Sequence, residues 1–229
     1  MGVDYAADDQ PVAMPHPNID ATVVVATRNR GGGVLTTLAS ILANRASRFE
    51  VILVDQSTDD ATQQTVHGML DDERFRYLRS STVGAGRARN LAFSQAQGEF
   101  LLVTDDDCTV PVNWITSVTA LFRAQPRVGL IFTSVVPGDH DSASGVIPNH
   151  AYGRDRLIRS VTGYARSIGM GAGMSIRRSV LSEAGLFDES LGPGSVLLSG
   201  EDHDYAIRTL AQGWWVCSKP RSHCQPNRF

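Results

Sequence analysis

The sequence predicts an α/β fold built on a mostly parallel sheet with helices on both faces. Three observations carry this. Short β-branched runs alternate with stretches of helical periodicity, the connections are brief, and a polar loop follows each of the first runs. With 42% of 229 residues apolar and 20% charged, one sizeable core can form.

Residues 1–20 are rich in Pro and Asp without periodicity and read as a loose tail. "TVVVAT" (22–27) is a buried-strand run, followed by a helix in which Val34, Leu38, Ile41 and Leu42 share a face. "FEVILVD" (49–55) is a second strand. "STDDATQQTVHGML" follows as a helix, with Ser57 and Asp60 as its capping box. "FRYLR" (75–79) is a third strand and "GRARNLAFSQA" a helix. "EFLLVT" (99–104) is a fourth strand, "VNWITSVTALFRA" a helix and "VGLIF" (128–132) a strand. Residues 133–150 read as a long polar loop and 151–167 as a helix carrying Arg154, Arg156, Arg159 and Arg166. "GMGAGMSIRRSVLSEAGLFDESLG" reads as loop, strand, short helix and turn. "SGEDHDYAIRTLAQG" is a helix closed by Gly213, and "WWVC" a short last strand. The expected organisation is one domain over 21–229, with a ligand-binding half at 21–132 and a less regular half at 133–229.

The bulk properties exclude several classes. A net charge of −3 lacks the basic excess of a general nucleic-acid binder. Cys108, Cys217 and Cys224 form neither a disulfide framework nor a zinc ribbon, which points to reduced thiols and a cytoplasmic setting. The first residues lack a signal-peptide pattern, and no apolar run is long enough to span a bilayer. The arginines of 151–167 read first as a solvated helix face. The sharper reading is contact with an anionic acceptor or peripheral contact with a membrane surface.

Chemistry concentrates at strand ends, where ligands of parallel sheets sit. Thr27–Arg30, Asp55–Ser57 and Asp105–Asp107 should therefore converge on one crevice. Three adjacent acids repel one another; either a solvated turn or a hard cation with a charged ligand accounts for them. Asp55 can accept from a ligand ring N–H or a ribose hydroxyl. "GAGRARN" (84–90) is not a dinucleotide fingerprint, but it can open a helix with Arg87 or Arg89 aimed at a phosphate. Glu201 and Asp202 lie in a first helical turn, where carboxylates are at home. They serve there either as capping groups or as a general base.

In order, "VVVATRNR", "VILVDQSTDD", "GAGRARNLA", "LLVTDDDC", "GMGAGMSIRRSVLSEAGLFDESLG" and "SGEDHDYAIRTLAQGW" resemble the GT-A fold glycosyltransferases of the family 2 type. The resemblance runs from about Thr22 to His223. It implies a nucleotide-sugar donor and Mn²⁺ or Mg²⁺. By position, it implies nucleotide-sugar contacts at Thr27, Arg28, Arg30, Asp55, Arg89, Asp105 and Asp106. It implies metal ligands at Asp107 and His223, and an acceptor-side loop at Gly171, Gly173 and Met174. Asp202 matches the base of inverting members, and Glu201 is its catalytic neighbour. Two positions depart from the family pattern: Gln56 replaces an acid and Gly173 an Asn. The implied activity is metal-dependent inverting transfer of a sugar, from a UDP-sugar first of all, to an acceptor hydroxyl of unassigned class. The alternatives are a retaining GT-A enzyme, or a nucleotide-sugar-binding protein without catalysis.

Overall fold

The computed structural model describes residues 14–46, 48–138, 149–164 and 169–226. Its strands are β1 (Ala21–Thr27), β2 (Phe49–Asp55), β3 (Phe75–Arg79), β4 (Phe100–Asp105), β5 (Cys108–Thr109), β6 (Val128–Val135), β7 (Arg156–Ile158), β8 (Met174–Arg177) and β9 (Trp215–Pro226). Its helices are α1 (Leu35–Leu42), α2 (Ala61–Val66), α3 (Ala85–Gln95), α4 (Trp114–Ala124), α5 (Val161–Tyr164), α6 (Ser179–Ala184) and α7 (Glu201–Ala211).

The sheet order is β3-β2-β1-β4-β8-β6-β9, with β7 and β5 both pairing with β9. β1 pairs parallel with β2 and β4, and β2 with β3. β8 runs antiparallel between β4 and β6. Chain order runs outward from β1 to β3, then returns to place β4 on the other side of β1. That reversal opens a crevice beyond the carboxyl ends of β1 and β4.

Alternation along the strands divides the core into two layers. Val23, Val25, Leu53 and Leu102 face α1 and α4, meeting Leu38, Ile41, Trp114 and Phe122. Val24, Ile52, Val54 and Val103 face the other helices, meeting Leu91, Phe93, Tyr205 and Leu210. Burial on both sides explains why β2 reads as an apolar run apart from Glu50 and the terminal Asp55. Glu50 is itself buried. It accepts from the Thr22 hydroxyl at 2.7 Å and the Gln97 N–H at 2.6 Å, and pairs with Arg76 at 3.1 Å. These bonds staple together the strand ends opposite the crevice.

Three expectations are corrected. The long helix expected over 151–167 does not form: Arg156–Ile158 pair with β9 as an edge strand, and among the described residues of this stretch helix is confined to the single turn α5. Sheet pairing overrides helical pattern here, and charged side chains suit an edge strand. Arg166 lies outside the described residues, as do residues 1–13 of the expected tail and 139–148 of the expected loop. The last strand is far longer than "WWVC", because β9 pairs in turn with β6, β7 and β5. Ser57 and Asp60 form no capping box: the Ala61 N–H is taken by Asp59 Oδ1 at 3.0 Å, and the Ser57 hydroxyl serves the crevice.

A methyl group on Gly98 would lie 2.4 Å from the backbone of Ala21 and Thr22, too close for the strand end to stay in place. Gly98→Ala is expected to destabilise the fold by roughly 1–3 kcal/mol, the usual overpacking cost. Gly68→Ala, with nothing within 4 Å of the added carbon, is the control with little effect. Urea midpoints measured at constant slope check both.

Candidate functional site

Thr27 ends β1, and its hydroxyl donates to Asp106 Oδ2 at 2.6 Å. Asn29 follows with φ of +55°, a left-handed turn that Asn tolerates. The turn sends the Asn29 N–H to the Ser57 hydroxyl at 2.8 Å, and Asn29 Oδ1 accepts the Thr58 N–H at 2.9 Å. Arg30 then reaches back to β4, with Nε 3.3 Å from Asp106 Oδ1 and Nη2 3.0 Å from Asp107 Oδ2. Arg28 is exposed at the rim. The loops after β1, β2 and β4 thus meet, as the strand-end pattern predicts.

The three acids differ in solvent access, with side-chain exposures of 47% for Asp105, 11% for Asp106 and 29% for Asp107. Burial among other acids pushes the Asp105 carboxyl up to about 6, with Arg89 opposing and Asp107 and Asp106 adding to the shift. The half-open side chain lets solvent offset part of that desolvation. Asp106 is also raised, first by burial, against the Thr27 hydroxyl and Arg30, which favour its charged form.

Asp55 is placed differently from the expectation of an open acceptor. It is wholly buried, and both its oxygens are taken. Oδ1 accepts from the Ser57 N–H at 2.9 Å and from the Ser57 hydroxyl. Oδ2 accepts from the Tyr77 hydroxyl at 2.7 Å and from Arg79 at 3.4 Å. Asp55 is therefore the anchor of a small network that orients Tyr77 and Arg79. Sequence reasoning does not single out those two residues; their i, i+2 spacing on β3, beside Asp55, is the available signal. Burial pushes the Tyr77 hydroxyl up to about 12, so it stays a donor to Asp55. Gln56 exchanges two hydrogen bonds with the Gly84 backbone, at 3.2 and 3.3 Å, which fixes the loop entering α3.

Arg89 and Glu201 also turn inward. Arg89 Nη1 lies 3.2 Å from Glu201 Oε1, with Nη2 3.7 Å from Asp105 Oδ1, and both partners of the Arg89–Glu201 pair are buried. Asp202, next on α7, keeps part of its side chain exposed and accepts the His203 N–H at 2.8 Å. Burial and the neighbouring Glu201 charge raise its carboxyl, against His203 and Arg89. No side chain caps α7; Gly200, at φ of +101°, turns the chain into it. Asn90 is a further residue that sequence spacing does not flag. It brackets Phe187, donating to its carbonyl at 3.0 Å and accepting its N–H at 2.9 Å, and so pins the turn after α6 to α3.

The residues expected on the acceptor side do not line an open surface. Met174 is fully buried in the core layer with Leu101 and Tyr205. Gly171 and Gly173 are buried too, and a side chain on Gly173 would meet the Thr133 carbonyl oxygen at 2.5 Å. The close packing of this turn against β6 explains why no Asn stands there. The His223 side chain lies outside the described residues. Its backbone belongs to β9, between Lys219 opposite Thr133 and Cys224 opposite Val135.

Among the described residues, no three His, Cys, Asp or Glu side chains gather into a closed metal cage. The donor set nevertheless fits a hard divalent cation that takes one or two carboxylates from the protein and completes its shell with ligand phosphates. Asp107, partly exposed beside Asp105 and Asp106, could supply such an oxygen. No described helix is long and apolar enough to cross a membrane.

Residues 22–185, more than half of the chain, match the sequence profile of "Glycosyl transferase family 2". A curated relative, "Glycosyltransferase GlyG" of Streptococcus pneumoniae serotype 4, is 33% identical over 42% of this chain and 33% of its own length. The chain thus matches about a third of that relative. "Poly(ribitol-phosphate) beta-N-acetylglucosaminyltransferase TarS" of Staphylococcus aureus is 34% identical over 38% of this chain and 16% of its own. Among solved structures, S. aureus TarS 1-349 in complex with UDP-GlcNAc superposes with a TM-score of 0.72 at 19% identity, covering 92% of this chain and 60% of that one. The mannosyltransferase PcManGT from Pyrobaculum calidifontis, in complex with GDP-Man and Mn²⁺, gives 0.66 at 22% identity, covering 95% and 60%. The structural likeness shows the same α/β fold, and the profile match over 22–185 places this chain in glycosyl transferase family 2.

Proposed function

We propose that the chain transfers a sugar with inversion from a nucleotide-sugar donor, a UDP-sugar in the first instance, to an acceptor hydroxyl. One observation carries this reading: Arg89 joins Asp105, at the end of β4, to Glu201 in the first turn of α7, so that Asp202, the next residue on α7, would face the crevice of Asp107. The relatives crystallised with UDP-GlcNAc and with GDP-Man and Mn²⁺ support a nucleotide-sugar donor and a divalent cation.

Each residue then has a task. Asp107 would hold Mn²⁺ or Mg²⁺, which when bound neutralises charge on the departing diphosphate. Arg28, exposed at the rim, adds positive charge for the same group, and Arg30 keeps the acids apart and aligned. Thr27 fixes Asp106. Tyr77 and Arg79, set by Asp55, border the nucleotide end. An acceptor hydroxyl holds its proton far too tightly to lose it to water at neutral pH, so a positioned base is needed as it attacks. Asp202 takes that proton. Its first oxygen is oriented by the His203 N–H.

Asp202→Asn is expected to lower transfer by about 10²–10⁴-fold while leaving affinity for the UDP-sugar unchanged. Turnover of radiolabelled donor and calorimetric donor binding check the two halves, and near-normal turnover removes Asp202 from the role. Asp107→Asn is expected to abolish the stabilisation by UDP that depends on Mn²⁺, read as loss of the metal-dependent rise in melting temperature.

The pH dependence has a definite sign. The base works as a carboxylate, and burial with Glu201 holds its proton to higher pH, against Arg89 of α3 and His203. Transfer should therefore fall as pH drops through a value above the ordinary 3.8 of an aspartate, and recover as pH rises. A rate profile whose acidic limb lies at or below that ordinary value contradicts the assignment.

A further inference from the structure

We infer that Arg89 is a positioning residue rather than a donor ligand: with Glu201 it fixes the first turn of α7 against Asp105, and so sets where Asp202 stands. This inference rests on the reading of Asp202 as the base.

Little of the pair is open to solvent. The Arg89 side chain is 5% exposed and that of Glu201 8%, so neither offers a surface to a ligand. The guanidinium lies over the Phe187 ring, 5.4 Å from its centre, and spans two acids far apart in sequence, Asp105 at 3.7 Å and Glu201 at 3.2 Å. Two glycines make the space. A methyl group on Gly171 would lie 2.8 Å from Arg89 Nη2, and one on Gly192 would lie 2.8 Å from the Glu201 carboxyl carbon. Gly192 is also held at φ of +92°. A buried pair with a tailored cradle at each end transmits position, because neither partner can move without leaving a buried charge uncompensated. Arg89 is the member that reaches both acids. A lysine keeps the charge but not the planar fork, so it cannot hold the same two partners in the same geometry.

The consequence separates turnover from binding. Displacing the start of α7 moves Asp202 relative to the acceptor hydroxyl, and a misplacement of about 1 Å costs on the order of 10²-fold in rate. The bonds that hold the ends of β1 and β2, Thr27 to Asp106 and Ser57 to Asp55, involve neither Arg89 nor Glu201, so the donor contacts are expected to survive. The test compares Arg89→Lys, Glu201→Gln and Gly171→Ala with the wild-type chain, using kcat, KM for the UDP-sugar and UDP affinity. Expected for each is a fall in kcat of roughly 10–100-fold, with UDP affinity within about threefold of wild type. Gly171→Ala added to Glu201→Gln should cost little more than either alone, since both act on one pair. Gly171→Ala leaves every charge in place, and Glu201→Gln keeps the side chain's shape, so between them they guard against a variant that does not fold. Parallel loss of UDP affinity and turnover in Arg89→Lys makes Arg89 a donor ligand and overturns the inference. So do unchanged kcat values, or losses from Gly171→Ala and Glu201→Gln that multiply. A wild-type chain that binds no nucleotide sugar in the presence of Mn²⁺ removes the parent reading, and this one with it.

Discussion

The constraint on which the site depends is the repulsion among Asp105, Asp106 and Asp107. Three carboxylates on consecutive residues at the end of a buried strand need more than one compensating group. The fold draws those groups from different elements. Asp106 takes the Thr27 hydroxyl from β1 and shares Arg30, from the loop that follows it, with Asp107. Asp105 lies against Arg89 from α3. Because Arg89 also pairs with Glu201, the same repulsion brings α7 to the crevice. The return of the chain from β3 to β4 is what sets these partners side by side. The register places Ala26 opposite Asp105, so Thr27 stands level with Asp106.

Much of this is legible in the sequence because strand ends are local features. The first three runs end where β1, β2 and β3 end, while β4 and β6 run on to Asp105 and Val135, past the expected 104 and 132. The rule that ligands sit beyond parallel strands groups "TRNR", "DQST" and "TDDD", whose loops meet. Direction and depth cannot be read in the same way. Asp55 ends β2, Arg89 lies within α3 and Glu201 opens α7, and in the sequence their charge alone makes each a candidate site residue. Whether such a group faces solvent depends on neighbours far along the chain: Tyr77 and Arg79 for Asp55, Glu201 for Arg89. Residues 151–167 mislead for a related reason. A basic stretch with scattered apolar residues suits a helix surface as well as an edge strand, and only the presence of β9 decides.

Gly171 and Gly173 show a further limit. Their place in the chain suggests a loop on the acceptor side. Both are glycine because another group already occupies the space a side chain would need, the guanidinium of Arg89 in one case and the carbonyl of Thr133 in the other. A glycine's neighbour, unlike its backbone freedom, leaves no trace in sequence spacing.

The acids of the crevice can be sorted by how much of their accepting capacity the protein itself consumes. An ionised carboxylate offers about four acceptor positions, and a ligand can use only those that remain. Asp55 gives all its capacity to Ser57, Tyr77 and Arg79, so its negative charge organises neighbours and is not open for recognition. Asp106 has little more to spare, since Thr27 and Arg30 each hold one of its oxygens. Asp107 shares one oxygen with Arg30 and receives only the weak Cys108 thiol, at 3.9 Å, on the other; Asp105 meets Arg89 only at long range, and Asp202 spends one oxygen on its own helix. Capacity is thus concentrated in the three acids that also have the most solvent access. The saturated acids hold the loops rigid, and that rigidity fixes the others in place before any ligand arrives. A cation and a proton, the two positive species that sugar transfer must manage, would then meet carboxylates already oriented to receive them.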